Sequence, residues 1–221
     1  MEKKTILKGL PFWEKMTKQQ QELFLHRGKI GTYKDRQLIY SPARECLGMI
    51  SVISGIVVVY FTAEDGRKAT VFRLRSGDTC ALSMSCLFSA ITFDVEIEAE
   101  GECEILIVPA VTFAEVSKEN VYVENFSYKI ITEHFSDVME AVYQLLFMSL
   151  EQRIVSFLLN EAAASHSDQI VITQERLAES IGSAREAVSR GLKKLSAAGF
   201  LEIKRGVIVL KDKSGLYQMM P

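Results

Sequence analysis

A chain of 221 residues, 48% hydrophobic and 24% charged, has enough apolar material for a sizeable core, which excludes a disordered chain or a small scaffold held by disulfides. Its 26 lysine and arginine residues nearly balance 28 aspartate and glutamate residues, so the global charge of −2 indicates no polyanionic partner. Four cysteines without a signal-peptide pattern predict a cytoplasmic protein whose thiols stay reduced.

The first predicted segments are short helices followed by a β domain. Residues 1 to about 28 have helical periodicity, with Thr17 as the N-cap of one helix. From about 29 to 109 the period changes to two residues with turns such as Asp65-Gly66, which predicts an antiparallel β-barrel or jelly roll. The uncharged run 46–63 is long enough for a membrane helix, but its β-branched residues and Ser54-Gly55 favour two buried strands and a turn.

Residues 121–148 form one long predicted helix with two apolar stripes. The first follows a heptad spacing and is predicted to be the seam of a homodimer; it comprises Ile131, His134, Val138, Ala141, Leu145 and Met148. The second is predicted to pack on the β domain and comprises Phe126, Ile130, Phe135, Val142 and Leu146. A single helix buried in a monomer is the alternative.

Residues 149–221 are predicted to be a separate small domain that carries positive charge. Ser149-Leu150-Glu151-Gln152 has the pattern of a capping box that starts a new helix. Within 183–213 eight basic residues stand against three acidic ones, a net charge of +5. Such a local excess is typical of a surface that binds nucleic acid, although charge alone is more simply explained by a solvated face.

A helix-turn-helix pattern lies within this domain. Thr173 can cap a first helix with Leu177 and Ile181 on its buried side, and Gly182 suits a tight turn. Ser183 then starts a second helix. The buried side of that helix is predicted to contain Val188, Leu192 and Leu195. In this motif the second helix enters the major groove of DNA.

Exposed residues near the start of the second helix are predicted to read bases: Arg185, Glu186, Ser189 and Arg190. Arginine is the bidentate partner of guanine, and glutamate accepts a hydrogen bond from cytosine. The alternative for Glu186 is a capping box with Ser183. A hairpin with a basic tip, over 200–210, completes a winged helix. The residues predicted to contact phosphates are Thr173, Ser183, Lys193, Lys194, Lys204 and Arg205.

The order of these segments resembles the Crp/Fnr family of bacterial transcription regulators. The resemblance rests on Ser54-Gly55-x-x-Val58, Ser76-Gly77-Asp78, the long helix and Arg185-Glu186-x-x-Ser189-Arg190. It implies an α+β fold: a cyclic-nucleotide-binding-like, cupin-like antiparallel β-barrel at 1–120 that senses an effector, a dimerisation helix at 121–148 and a winged helix-turn-helix domain at 149–221. It also implies a homodimer on a palindromic DNA operator with a TGA-like core, and RNA polymerase is a further expected partner.

The sequence argues against two effectors used in that family. Cyclic AMP and GMP members carry a Gly-Glu-Leu stretch and an arginine for the phosphate, whereas residues 79–93 here contain no charge, so a buried phosphate would find no cation. Members with an N-terminal iron–sulfur cluster have cysteines there, whereas residues 1–45 contain none. A cluster held by other cysteines remains an alternative without ligand spacing in its favour; they are Cys46, Cys80, Cys86 and Cys103. Haem remains an alternative, with His26, His134, Met84 or a cysteine as its ligand.

The candidate effector region comprises Cys80, Leu82, Met84, Cys86 and Phe88. Cys80 and Cys86 fit a redox-active thiol pair, or two small apolar residues of a core. An apolar ligand pocket in this stretch is the third alternative. The effector is therefore expected to be an unidentified small molecule or redox signal.

Other function classes fit the sequence less well. An oxygenase barrel needs two or three converging histidines, and the three histidines here fall in three different segments, so neither a metal site nor catalysis is predicted. A winged helix used for protein contacts is the remaining alternative. Its binding would lack the steep salt dependence of DNA binding.

Overall fold

The structure, a computed structural model, describes residues 3–41, 47–80, 83 and 95–221. The chain divides into two units, one made of Met1–Phe61 with Val71–Val138 and the other of Thr62–Thr70 with Met139–Pro221. The predicted combination of helices and antiparallel sheet is confirmed. Among the described residues, no helix combines the length and the apolarity needed to cross a membrane.

Two short helices and a 3₁₀ turn open the chain, as the periodicity predicts. Helix α1 spans Lys3–Lys8, the 3₁₀ turn Trp13–Lys15 and α2 Lys18–Arg27. The side-chain oxygen of Thr17 accepts a hydrogen bond from the backbone N–H of Gln20, whose side chain accepts one from the N–H of Thr17. This reciprocal pair confirms Thr17 as the N-cap and fixes where α2 begins.

An antiparallel sheet of six strands follows. Its strands are β1 Lys29–Tyr33, β2 Leu38–Tyr40, β3 Met49–Thr62, β4 Lys68–Leu74, β5 Thr79–Cys80 and β6 Glu96–Val108. The strand order is β1-β6-β3-β4, with β2 paired to β6 and β5 paired to β3. The described residues contain no strand pair that closes this path into a complete barrel.

The predicted turn at Ser54-Gly55 is instead a bend within β3. The strand runs through it, and its pairing with β6 is irregular between Val52 and Ser54 and between Ser54 and Ile56. Gly55 has φ = +80°, a left-handed conformation that glycine adopts readily. A Cβ there would lie 2.4 Å from the carbonyl oxygen of Glu102. Because β6 pairs with both halves of β3, the chain bends here and does not reverse.

Two apolar clusters stabilise the N-terminal unit. One lies within the sheet, where Ile50, Ile97 and Ile105 are fully buried. The other joins α1, α2 and the sheet to α3 Ala110–Ser117 and α4 Val121–Phe147. In the second cluster the ring of Phe12 meets the rings of Phe24, Phe113 and Phe126 edge to face. The single tryptophan of the chain, Trp13, is also buried there.

Helix α4 is apolar on two sides, and around His134 and Phe135 these sides face opposite to our prediction. His134 and Met148 are buried, and Ile131 packs against the core of the N-terminal unit. Phe135 and Leu146, which we expected on the β domain, are exposed by 62% and 70%. Two of the predicted seam residues, His134 and Met148, are therefore hidden from a second copy, and the seam as a whole stays a prediction. His134 can be buried because its ring stacks on the ring of Phe72, with 4.3 Å between the ring centroids.

The exposed side of α4 forms a continuous row of large apolar residues, here named the outer stripe: Tyr128, Phe135, Met139, Val142 and Leu146. Their spacing follows a heptad repeat. Of the other predicted seam residues, Val138 and Ala141 are half-buried and Leu145 is exposed. Phe126 and Ile130 pack on the N-terminal core as predicted. Both stripes have the same period, so periodicity alone could not assign their directions.

The C-terminal segment folds as helices around a three-stranded sheet of order β7-β9-β8. Its elements are α5 Leu150–Ser165, β7 Gln169–Val171, α6 Gln174–Ser180, α7 Arg185–Ala197, β8 Leu201–Lys204, β9 Val207–Leu210 and α8 Lys213–Gln218. Ser149 caps α5 through reciprocal hydrogen bonds with Gln152, as predicted. A single apolar cluster joins these elements; its fully buried members include Ile154, Leu158, Leu177, Val188 and Leu192.

Helices α5 and α7 approach each other closely at Gly191. A Cβ on this residue would lie 2.7 Å from Cδ1 of Ile154. Val188, Leu192 and Leu195 lie on the same buried side of α7, as the sequence predicts. The opposite side of α7 is therefore left for solvent or a partner.

Candidate nucleic-acid interface

Local hydrogen bonds shape the turn between α6 and α7. The side-chain oxygen of Thr173 accepts a hydrogen bond from the N–H of Arg176 at 3.1 Å, which confirms the predicted cap of α6. Gly182 in the turn has φ = +60°, as expected for a glycine that ends a helix. The N–H of Ser183 then donates to the carbonyl oxygen of Ala178 at 2.9 Å. These bonds fix the direction in which α7 starts.

Arg153 on α5 also positions this turn. Its Nη1 donates a hydrogen bond to the carbonyl oxygen of Ile181 at 2.8 Å. Arg153 is not among the site residues predicted from the sequence. It precedes Ile154 and Val155 on the buried side of a predicted helix, and an arginine at such a position is expected to have a specific partner.

Helix α7 begins at Arg185, two residues later than predicted, with Ala184 as its N-cap. Because Ala184 has no side-chain oxygen and Glu186 makes no bond to Ser183 among the described residues, the alternative capping box does not form. Arg185, Glu186 and Arg190 are exposed, and Ser189 is half-buried. The predicted base-reading residues thus occupy the accessible start of α7.

The strands β8 and β9 form the predicted hairpin beside α6 and α7. Gly206 lies in its turn with φ = +73°, next to the pair formed by Lys204 and Val207. A cleft of about 460 Å³ separates the hairpin from the starts of α6 and α7. Its polar lining includes Thr173, Gln174, Glu175, Arg185, Lys204 and Arg205. A concave surface with three cations suits a phosphate backbone.

The cations of the predicted DNA-binding surface fall into two classes, those in an ion pair and those without one. Nζ of Lys194 lies 2.9 Å from Oε1 of Glu151, and Nζ of Lys204 lies 3.5 Å from Oε1 of Glu202. In contrast, some exposed cations of this surface form no ion pair within the part of the chain that the structure describes; they are Arg185, Arg190, Lys193 and Arg205. Lys194 and Lys204 are therefore partly neutralised before any partner binds.

The lysines shift the titration of both carboxylates. The hydrogen bond from Lys194 lowers the pKa of Glu151. The hydrogen bond from Lys211, whose Nζ lies 2.8 Å from Oε2, lowers the pKa of Glu202, and the charge of Lys204 adds to it. Both carboxylates thus stay ionised at neutral pH. Glu202 and Lys204 are two residues apart on one strand and therefore share a face. This spacing could have predicted their ion pair from the sequence.

Of the candidate effector region, only Cys80 is among the described residues; Leu82, Met84, Cys86 and Phe88 lie outside them. Cys80 is fully buried on β5, opposite Ile50. Cys103 on β6 is also buried, and burial raises the pKa of its thiol. Burial disfavours the thiolate that reacts with oxidants. These positions support the interpretation of Cys80 as a small apolar residue of the core, and Cys103 lies in the same core. The redox-active pair of Cys80 with Cys86 stays a prediction.

A cleft of about 680 Å³ lies between α1, the sheet and α4 in the N-terminal unit. Its charged and titratable lining residues are Arg73, Asp78, Lys129, Glu133, His134 and Asp137. Nδ1 of His134 lies 3.7 Å from Oδ2 of Asp137. Burial lowers the pKa of His134, and this effect outweighs the opposite effect of Asp137. A protonated His134 would be a charge held against the ring of Phe72.

We expect His134 to make the stability of the N-terminal unit depend on pH. The folded state takes up a proton on His134 at lower pH than the unfolded chain does. The free energy of unfolding should therefore fall as the pH decreases below about 6.5 toward the folded-state pKa. Urea unfolding followed by Trp13 fluorescence, at about pH 7.5 and about pH 5.5, measures this change. His134→Gln should reduce the difference, and His26→Gln, at an exposed histidine, should retain it. An unchanged difference in H134Q would contradict the prediction.

Two family models match the chain. The model of the Crp-like helix-turn-helix domain matches residues 152–219, from the third residue of α5 through the hairpin and α8. The model of the cyclic nucleotide-binding domain matches residues 30–120, from the second residue of β1 through the rest of the six-stranded sheet and α3.

Known proteins are similar over most of the chain. A transcriptional regulator of the Crp/Fnr family from Eubacterium rectale has a TM-score of 0.91 and 31% identity, covering 96% of this chain and 98% of that one. Vfr, the cAMP-activated global transcriptional regulator of Pseudomonas aeruginosa, is 26% identical over 183 residues, which are 78% of this chain and 84% of Vfr. The c-di-GMP responsive global regulator CLP of Xanthomonas campestris shares the fold, with a TM-score of 0.75, 22% identity and coverage of 89% and 100%.

Proposed function

The chain belongs to the Crp/Fnr family of transcription regulators, and from this premise we propose that a homodimer of it binds a palindromic DNA operator. An unidentified signal at the N-terminal domain controls the binding. In this proposal residues 1–120 sense the signal, 121–148 dimerise and 149–221 bind DNA. The protein acts in the cytoplasm, and RNA polymerase is its partner at the promoter.

The accessible start of α7 carries the DNA-binding proposal. Arg185, Glu186 and Arg190 are exposed there and form no ion pair among the described residues, so their polar groups are available to base edges. Glu186 and Arg190 are four residues apart and lie on one face of the helix. The adjoining cleft, with Thr173, Lys204 and Arg205, supplies contacts to phosphates.

The outer stripe supports the homodimer. A helix of 27 residues exposes large apolar side chains at heptad spacing, which is the pattern of a helix that pairs with a second copy. Two copies would present two α7 helices, and a symmetric pair reads half-sites about 34–36 Å apart. The proposed seam is therefore the outer stripe and not the set predicted from the sequence.

The signal in this proposal is not a cyclic nucleotide. Although Vfr is cAMP-activated by its name, residues 79–93 of this chain contain no arginine or other charge to pair with a buried phosphate. The remaining candidates are haem, an iron–sulfur cluster outside the N-terminal segment, a thiol switch and a small apolar molecule. A visible absorption spectrum and a free-thiol count, recorded with and without oxygen, separate these four.

Fluorescence anisotropy with the purified full chain tests DNA binding. Two labelled duplexes of equal composition are compared: a palindrome with a TGA-containing half-site on each side, and its scrambled version. We expect tighter binding to the palindrome and a steep decrease of affinity with salt, by a slope of about 0.9 for each phosphate contact. Binding that does not respond to salt would favour the alternative, in which the winged helix contacts a protein.

Two arginines should separate base reading from backbone contact. Arg190→Ala is expected to weaken binding to the palindrome by about 1–3 kcal/mol and to the scrambled duplex by much less, because a base contact is lost. Arg205→Ala should weaken binding to both duplexes equally and reduce the salt slope by about 0.9. The anisotropy titrations above measure both quantities. Equal losses on both duplexes for both variants would contradict the assignment of α7 to the groove.

A further inference from the structure

An acidic residue lies within the hairpin that is proposed to contact DNA. Oε2 of Glu202 is 2.8 Å from Nζ of Lys211, and its Oε1 is 3.5 Å from Nζ of Lys204. The three side chains are exposed by 44%, 52% and 57% for Glu202, Lys211 and Lys204. They can therefore exchange partners without any change in the backbone.

The two lysines differ in position and in distance to the carboxylate. Lys204 lines the cleft between the hairpin and α7, next to Arg205, whereas Lys211 does not line it. The shorter contact with Lys211 holds the carboxylate in place. The longer contact with Lys204 is the one that an incoming phosphate can replace.

We infer that Glu202 limits the affinity of this protein for DNA because its carboxylate competes with the DNA backbone for Lys204. The inference rests on the proposed DNA-binding function. A phosphate oxygen that takes Lys204 must displace the carboxylate, which Lys211 keeps nearby, and like charges then repel each other across the contact. Since the contact is to a phosphate and not to a base, Glu202 sets affinity on all sequences alike and leaves sequence preference unchanged.

The chain offers a matched control in Asp168. Its carboxylate pairs with Nζ of Lys213, neither residue lines the cleft, and Lys213 is not among the predicted phosphate contacts. Asp168→Asn and Glu202→Gln each remove one negative charge from the same domain and keep the side-chain shape. A difference between the two variants therefore reports where the charge lies and not the net charge.

Anisotropy titrations of the full chain with the palindrome and its scrambled version test the inference. We expect Glu202→Gln to tighten binding to both duplexes by about two- to fivefold at low salt, the range for one exposed ion pair. Its salt dependence should be steeper, because Lys204 is released to a phosphate. Asp168→Asn should change affinity by less than about twofold. Lys204→Ala should abolish the gain, so that E202Q/K204A binds like K204A.

Three results would overturn the inference: no gain in E202Q, an equal gain in D168N, or a gain that persists without Lys204. Thermal unfolding by circular dichroism checks that each variant is folded. Failure of the proposed function looks different, because the unchanged protein then binds neither duplex in a salt-dependent way, and that result overturns both proposals together.

Discussion

Aspartate at both Phe135 and Leu146 is expected to convert the proposed dimer into monomers. These side chains are the most exposed members of the outer stripe, and a second copy would bury them. Two carboxylates on each helix would then lose water without gaining a partner. We expect the dimer dissociation constant to rise at least about 100-fold, which corresponds to about 2.7 kcal/mol. Affinity for the palindrome should fall with it, since a monomer contacts one half-site. Sedimentation velocity and anisotropy measure the two effects.

Val111 provides the control for this variant. It lies on α3, outside the outer stripe, and is exposed by 73%, so Val111→Asp adds a charge at an equally accessible apolar site. V111D should remain a dimer with unchanged DNA affinity. A double aspartate variant that stays dimeric would place the contact between the two copies elsewhere on the surface.

Alanine at Gly48 is expected to destabilise the N-terminal unit by about 3 kcal/mol or more. Gly48 has φ = +114°, and a Cβ there would lie 2.1 Å from the carbonyl oxygen of Val108 and 2.5 Å from the backbone nitrogen of Ala110. Both neighbours are backbone atoms, so they cannot rotate away as the end of a side chain would. The start of β3 would have to separate from the end of β6.

Gly77→Ala is the matched control, because it isolates backbone strain from crowding. Gly77 has φ = +96°, and a Cβ there would meet nothing within 4 Å. Its cost should be about 1–2 kcal/mol, the penalty of a left-handed conformation alone. Urea unfolding followed by fluorescence reports this unit selectively, since Trp13 is the single tryptophan. An equal decrease in the free energy of unfolding for the two substitutions would contradict the prediction, because it would mean that the backbone around Gly48 shifts to accommodate the Cβ.

The winged helix could be predicted from the sequence because its signals are local. Thr173 and Ser149 cap their helices where the pattern of a small polar residue before an apolar period placed them. Gly182 and Gly206 adopt the positive φ that their turns require. The sequence predicts that α7 starts at Ser183, a residue type common at helix starts, whereas the helix begins at Arg185, after Ala184 as its N-cap.

The directions of the two α4 stripes depend on tertiary contacts and could not be derived from spacing. His134 has the polar character of a surface residue, but stacking on Phe72 gives it a buried site. Phe135 next to it is more apolar and yet exposed. The contacts within one chain do not explain the exposure of Phe135, which the proposed dimer would cover. Hydropathy therefore identifies both stripes but does not distinguish the one that packs in the core from the outer stripe.

The ion pairs of the candidate interface show a second limit of sequence reasoning. Lys193 and Lys194 are adjacent and chemically identical, but only Lys194 reaches Glu151 on another helix. Counting charge over 183–213 treats all its lysines as equal. The counter-charge of Glu151 lies outside that window, at the start of α5.

The close packing at Gly191 couples the direction of α7 to that of α5. The backbone of α7 lies against Ile154 with no side chain between them, and the fully buried Val188 and Leu192 fill the space on either side. Turning α7 alone would open this core. The exposed start of α7, which carries the proposed base-reading residues, therefore keeps its direction only as long as α5 keeps its own.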